Sequence, residues 1–153
     1  MNEFSIVRLN GIHHDLFHLV EQSLAEGHRH IQKLVQEYQS GTNRFNHEGE
    51  TLLAAVYKGR IVGICGLNRN PFENSNNIGR VRRLYVLKEY RRNGFGEKLM
   101  EGIMDVASLH YKVLVLYTDN PAADKFYKAL GFTESSSFEK STHYLELNSL
   151  RGY

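Results

Sequence analysis

Leu84-Tyr85-Val86-Leu87-Lys88-Glu89-Tyr90-Arg91-Arg92-Asn93-Gly94-Phe95-Gly96 joins an apolar run to a turn with two glycines, which opens onto residues of helical period. The apolar run predicts a strand over about Val81–Leu87. Phe95, Leu99, Ile103 and Val106 predict a helix that begins near Gly94. The first amides of a helix lack internal partners and sit at the positive end of its dipole, so such a turn suits a phosphate. Glycine at 94 and 96 lets backbone approach an anion with no Cβ in the way, and Arg91 and Arg92 add positive charge beside it. Spacing alone is equally consistent with a plain tight turn. Two phosphate loops are excluded. Leu99 stands where a dinucleotide fingerprint needs its third glycine, and no Gly-Lys-Ser/Thr follows.

Upstream, Phe4, Ile6 and Leu9 nearly alternate with polar residues and predict a strand over about Glu3–Leu9. Ile12, Leu16, Leu19, Val20 and Leu24 recur at helical spacing, as do Ile31, Leu34, Val35 and Tyr38. Two helices follow, broken near Gly27 and ended by Ser40-Gly41, with residues 41–50 a polar loop. Leu52–Tyr57 and Arg60–Leu67 are apolar runs separated by Lys58-Gly59, a hairpin signal, and residues 70–77 are turn-rich. Downstream, the β-branched-rich Lys112–Tyr117 suits a strand covered on both faces. Asn120-Pro121 starts a helix with the inner stripe Ala123, Phe126 and Leu130, and Gly131 ends it. A last strand pair is expected at Thr133–Phe138 and His143–Leu147. The order βααβββαβαββ, without repeats, predicts one α/β domain over residues 1–153 with a mixed sheet.

The 153 residues suit a single domain and are enough to bury a core without a metal or disulfide staple. The net charge of +2 is too small to argue for nucleic acid or membrane. No aromatic stacking platform interleaved with basic residues is evident, and no apolar run approaches the ~20 residues of a membrane helix. The charge is nevertheless uneven: Arg80–Lys98 carries +5, so the rest of the chain sums to −3. Cys65 is the only cysteine and lies in an apolar run, which predicts a buried, inert thiol and neither a disulfide nor a cysteine-built zinc site. His14 and His18 have the spacing of a metal-binding helix face but no His-Glu-x-x-His pattern, so a solvated surface is expected and no metal. Met1-Asn2-Glu3-Phe4 shows neither a basic start nor an apolar stretch, so a cytoplasmic chain is expected.

Arg91-x-x-Gly94-x-Gly96 resembles the pyrophosphate signature of the GNAT superfamily of acetyl-CoA-dependent N-acetyltransferases. About thirty residues on, Asn120-x-x-Ala123-x-x-Phe126-Tyr127-x-x-Leu130-Gly131-Phe132 resembles that family's second hallmark. The resemblance spans roughly Arg80–Leu147; the first eighty residues match only in their order of elements. It implies a GNAT-like fold whose strand over Val81–Leu87 splays from the strand over Lys112–Tyr117, so that the pantetheine arm of acetyl-CoA enters the gap. Leu84, Tyr85 and Val86 would then supply main-chain contacts, with the amide near Val86 close to the thioester oxygen. The amides of Arg92, Asn93, Gly94, Phe95 and Gly96, with the Arg91 side chain, would hold the pyrophosphate. Asn120 would hydrogen-bond the pantetheine and Phe126 would pack on it. Tyr127 would be the general acid that protonates the departing thiolate, since tyrosine keeps its proton near neutrality.

The base is not so readily assigned. Many family members place a glutamate on the strand before the turn; here Arg80-Val81-Arg82-Arg83 holds no carboxylate. Glu73 or His143, acting through water, are the remaining candidates, against plain readings as a loop glutamate and a strand-surface histidine. The resemblance also implies that His28, Arg29 and His30, at the break between the first helices, or the segment Ser135–His143 could touch the acceptor, against an equal reading of both as plain surface. The expected function is therefore acetyl transfer from acetyl-CoA to a primary amine, with a homodimer possible. The rival is a non-catalytic acyl-CoA-binding regulatory module of the same fold. Tyr127 and Asn120 favour the enzyme and the missing strand glutamate the rival.

Overall fold

A computed structural model describes residues 3–147; of the N-terminal reading above, Met1 and Asn2 lie outside the described residues. Seven strands form one sheet: β1 (Phe4–Arg8), β2 (Thr51–Tyr57), β3 (Arg60–Arg69), β4 (Ile78–Val86), β5 (Val113–Leu116), β6 (Thr133–Glu134) and β7 (His143–Glu146). The helices are α1 (Phe17–Ala25), α2 (His30–Ser40), α3 (Phe95–His110) and α4 (Pro121–Ala129). The spatial order is β1-β2-β3-β4-β5-β7-β6, antiparallel throughout except where β4 meets β5. This is the mixed sheet flanked by helices that the element order predicts. No helix among the described residues is long and apolar enough to cross a membrane.

The sheet is covered on both faces. On β3, a Cβ at Gly63 would meet Leu99 of α3 at 3.1 Å, whereas one at Gly66 would meet the Phe45 ring, in the loop after α2, at 2.4 Å. Strand residues alternate between faces, so α3 lies on one side and the α1–α2 segment with its loop on the other. Leu99, Met100 and Ile103 of α3 and Leu19, Ile31 and Leu34 of α1 and α2 are fully buried between these layers. Cys65 is fully buried too, and burial pushes its thiol well above the usual range.

The elements differ from expectation where local pattern and tertiary pairing disagree. The first helix opens with a 3-10 turn over His14–Leu16 before α1 begins. β4 starts at Ile78, three residues before the expected Val81, because Ile78, Gly79 and Arg80 pair with β5. Arg80, just ahead of the expected strand start, is only 5% exposed. The strand expected over Thr133–Phe138 shrinks to Thr133–Glu134, since Ser135 and Ser137 instead hydrogen-bond each other in a turn.

Gly79 sits where β4 and β5 join, and a Cβ there would lie 2.5 Å from the Tyr111 ring, whose hydroxyl is tied to the Gly49 carbonyl at 2.7 Å. The ring cannot retreat freely. Gly79→Ala is expected to destabilise the chain by about 1–3 kcal/mol, as overpacked sites do. Urea unfolding at neutral pH checks this, and an unchanged midpoint would contradict it.

Candidate active site

The site begins where the sheet comes apart. β4 and β5 pair only over Ile78↔Val113, Gly79↔Leu114 and Arg80↔Val115, and from Val81 onward the pairing stops while β4 runs on to Val86. At the same place β4 carries one extra residue against β3: Ile64 faces Tyr85 but Gly66 faces Arg82, so Arg83 and Leu84 share the place opposite Cys65. Arg83 takes a left-handed φ of 64° and its guanidinium donates to Glu37 of α2 at 3.1 Å. Such a bulge bends and twists a strand, here away from β5. Leu87 donates to the Val62 carbonyl of β3, so Val86, one residue back, turns its amide toward the gap, while its carbonyl accepts from Arg91.

The glycine turn closes one end. Arg92 and Gly94 both have positive φ, 65° and 84°, and Gly94 precedes the first residue of α3 with no side-chain cap. The left-handed backbone favours glycine at 94. At 96 φ is not left-handed, and a Cβ would make an ordinary 3.5 Å contact with the Phe126 ring. Phe95 turns inward and packs on Phe4, Tyr57 and Tyr90 with ring centroids 4.8–6.1 Å apart, which anchors this end of α3. The amides at the start of α3 therefore face outward with no side-chain partner.

Arg91 is held elsewhere. Its guanidinium donates to both Glu26 carboxylate oxygens at 2.7 and 3.1 Å and, through Nε, to the Val86 carbonyl at 2.8 Å; it also stacks on Tyr85 at 5.2 Å. The Arg91 guanidinium, then the Tyr85 hydroxyl at 2.6 Å, hold Glu26 down at about 2. Gln22, one turn earlier on α1, accepts from the Lys88 amide at 2.6 Å and from Tyr85 at 3.0 Å. The end of α1 thus fastens the turn to the edge of β4. The Arg91 side chain, expected beside a pyrophosphate, is bonded to Glu26 and Val86 and also lines the cleft.

α4 supplies the opposite wall. The Asn120 carboxamide oxygen caps it by accepting from the Ala122 and Ala123 amides at 2.8 and 3.2 Å, which leaves the carboxamide nitrogen free to donate. Phe126 lies against Tyr127 with centroids 5.2 Å apart. Tyr127 is 7% exposed, wedged also against Phe132 and His143, and its hydroxyl makes no hydrogen bond among the described residues. Burial, then the proximity of Cys65 behind the bulge, pushes this phenol far above its usual range, so it stays protonated. Leu84, Tyr85, Val86, Arg91, Arg92, Gly94, Gly96, Asn120, Phe126 and Tyr127 all line one cleft of about 1600 Å³. Asn93 and Phe95 do not line it by their side chains; Asn93 donates to the Arg91 carbonyl at 3.1 Å.

The acetyltransferase (GNAT) family model matches residues 14–132. The chain belongs to this family. At 30% identity it is similar to a protein from Exiguobacterium sp. 255-15 assigned as an acetyltransferase, with 97% of each chain covered and a TM-score of 0.87. The AtaT toxin bound to its antitoxin AtaR and acetyl-CoA shares the fold, at 15% identity and a TM-score of 0.70 over 98% of this chain and 97% of that one. Over 87 residues the chain is 34% identical to N-acetylaspartate synthetase of Xenopus tropicalis, covering 55% of this chain and 31% of that protein. The chain thus spans about a third of that relative's length.

β4 carries no glutamate where many GNAT relatives place one. The carboxylates lining the cleft are Glu26, already paired, Glu97 and Asp119. Glu73 does not line it and instead accepts from the Glu139 amide at 3.1 Å. His143 is not a strand-surface residue: it is 2% exposed, bonded to Asp124 at 2.6 Å and Thr142 at 2.8 Å, because α4 covers β7 there. His28 and His30 line the cleft and Arg29 does not; of Ser135–His143 only Lys140 does. Burial, then the charges of His28 and Arg83, hold His30 down at about 4, so it is neutral at pH 7. His14 and His18 join no group of metal-ligating residues, none being found among the described residues. Sequence reasoning missed Glu26, 65 residues from its partner Arg91 and without a motif of its own.

Glu26 gives a pH-dependent test. Its folded pKa lies below the unfolded one, so its contribution is complete above about pH 4.5 and fades as pH falls toward 2. Because Glu26 and Arg91 are 25% and 40% exposed, that contribution is discounted to about 1 kcal/mol. Glu26→Gln is expected to unfold more easily in urea by this amount at pH 7, with the difference shrinking between pH 4.5 and 2. A difference that grows on acidification would contradict the assignment.

Proposed function

We propose that the chain transfers the acetyl group of acetyl-CoA directly to a primary amine, with Tyr127 as general acid. The observation that carries this is the buried, protonated Tyr127 hydroxyl set across an unpaired strand edge that leads to the glycine turn. The amides from Arg92 to Gly96 take the pyrophosphate, and the main chain of Leu84, Tyr85 and Val86 receives the pantetheine as an added strand would. Asn120 donates to the pantetheine through its free carboxamide nitrogen, and Phe126 packs on it. The amine nitrogen attacks the thioester carbon, and the carbonyl π pair moves to oxygen, where the outward amide near Val86 stabilises it. When the carbon–sulfur bond breaks, the pair leaves on sulfur and Tyr127 supplies the proton that makes the thiol. The nitrogen of the new amide loses its extra proton to water. The relative named for N-acetylaspartate, itself an N-acetylated amine, supports an amine acceptor.

Tyr127→Phe keeps the ring and removes the proton. It is expected to lower kcat by about 10²–10⁴-fold, the usual worth of a positioned general acid. The Kd for acetyl-CoA should stay within about threefold, because the backbone makes most of the cofactor contacts. Thiol release in single-turnover and steady-state assays, with binding by calorimetry, separates these quantities. An unchanged chemical step in the variant would overturn the acid role.

No carboxylate stands on β4 ahead of the turn, so the amine is taken to arrive neutral. At fixed subsaturating acceptor, kcat/KM is expected to rise with pH until the acceptor's own amine pKa, and to shift along with that pKa between two acceptors. His30→Ala should keep that limb, since a group held near 4 is already deprotonated across it. A limb near pH 6–7 that ignores the acceptor's basicity would instead reveal an enzyme base.

A further inference from the structure

The end of the cleft where β4 and β5 join is lined by Arg80, Arg82, Lys140 and Phe72, opposite the glycine turn. Arg80 is 5% exposed, yet every hydrogen-bond partner its guanidinium has is neutral: the Asn70 carboxamide at 3.3 Å, the Ser141 hydroxyl at 2.9 Å and the Lys140 carbonyl. Its Cζ lies 4.7 Å from the Phe72 ring centroid, and the Lys140 Nζ lies 4.9 Å from the same centroid. The side chain of Arg82, two residues along the strand, makes no hydrogen bond or ion pair among the described residues.

The surrounding carboxylates are otherwise engaged. Glu73, whose field reaches Arg80, accepts from the Glu139 amide and lies in no ion pair among the described residues. Glu37 is paired with Arg83 at 3.1 Å, and Glu50 accepts from Asn68 at 2.9 Å and from the Arg69 amide at 3.3 Å. Glu73 acts on Arg80 and Glu37 and Glu50 on Arg82 only through space, and a cluster of cations with no carboxylate in direct contact gains when a ligand brings one. Guanidinium groups match a carboxylate by paired hydrogen bonds, which adds geometry to charge.

Resting on the acetyl-transfer reading above, we infer that the acceptor is an amine that also carries a carboxylate, which Arg82 binds with Arg80 and Lys140 behind it. The amine then points toward the gap and Tyr127, while the carboxylate stays at the closed end. Polyamines and other polycationic acceptors are repelled by the same three groups.

The experiment measures thiol release from acetyl-CoA with glycine, L-aspartate and L-glutamate, with the amides of the same skeletons, and with putrescine. At least one acid is expected to exceed its amide in kcat/KM by roughly 10-fold or more, the worth of a charged hydrogen bond. Arg82→Ala should raise the KM for that acid about 10-fold and collapse the acid-to-amide ratio, with acetyl-CoA affinity and the circular dichroism spectrum kept. Turnover of the amides or putrescine at rates equal to or above the acids, or a ratio untouched in Arg82→Ala, overturns the carboxylate assignment while leaving acetyl transfer standing. Absence of thiol release with every amine, while acetyl-CoA still binds, overturns the acetyl-transfer reading and this inference with it.

Discussion

Everything at this site depends on two neighbouring strands in the middle of a sheet that cease to pair after Arg80 and Val115. A central strand normally has both edges satisfied, because an unpaired backbone donor or acceptor costs about as much as a lost hydrogen bond. Here the opening is held by structure on every side. The extra residue at Arg83–Leu84 turns β4 aside, Glu37 secures the bulge, and Phe126 and Tyr127 of α4 form the far wall. The arrangement keeps polar backbone exposed inside the fold until a ligand with amides of its own can pair with it.

The second constraint is the link between α1 and the glycine turn. Arg91 bonds the Val86 carbonyl and the Glu26 carboxylate together, so the strand edge and the phosphate turn are fixed relative to each other. The basic segment Arg80–Lys98 therefore divides by task. Arg91 ties the turn to α1, Arg83 secures the bulge, and Arg92 lines the turn end of the cleft, while Arg80 and Arg82 look to the other end. A modest net charge of +2 conceals this division.

What the sequence revealed was what is local. A glycine in a left-handed turn before a helix, and Asn120-Pro121 as cap and first residue of another, are written in adjacent residues, so α3, α4 and their motifs were legible. The unreadable parts depend on partners far along the chain. The burial of Arg80 is not legible because nothing beside it announces the Asn70, Ser141 and Lys140 oxygens that satisfy it. His143 looks exposed because Asp124 lies 19 residues away on α4, and the bulge is a single residue in register, which leaves no periodic trace.

The most direct test of the open strand edge is amide hydrogen exchange at Val86 with and without saturating acetyl-CoA, referenced to Leu87, whose amide is already bonded to Val62. Exchange at Val86 is expected to be fast in the free chain and to slow about 10-fold or more relative to Leu87 once the ligand pairs with it. Equal slowing at both positions, or none at Val86 with acetyl-CoA bound, would contradict the account of a strand edge that waits for its ligand.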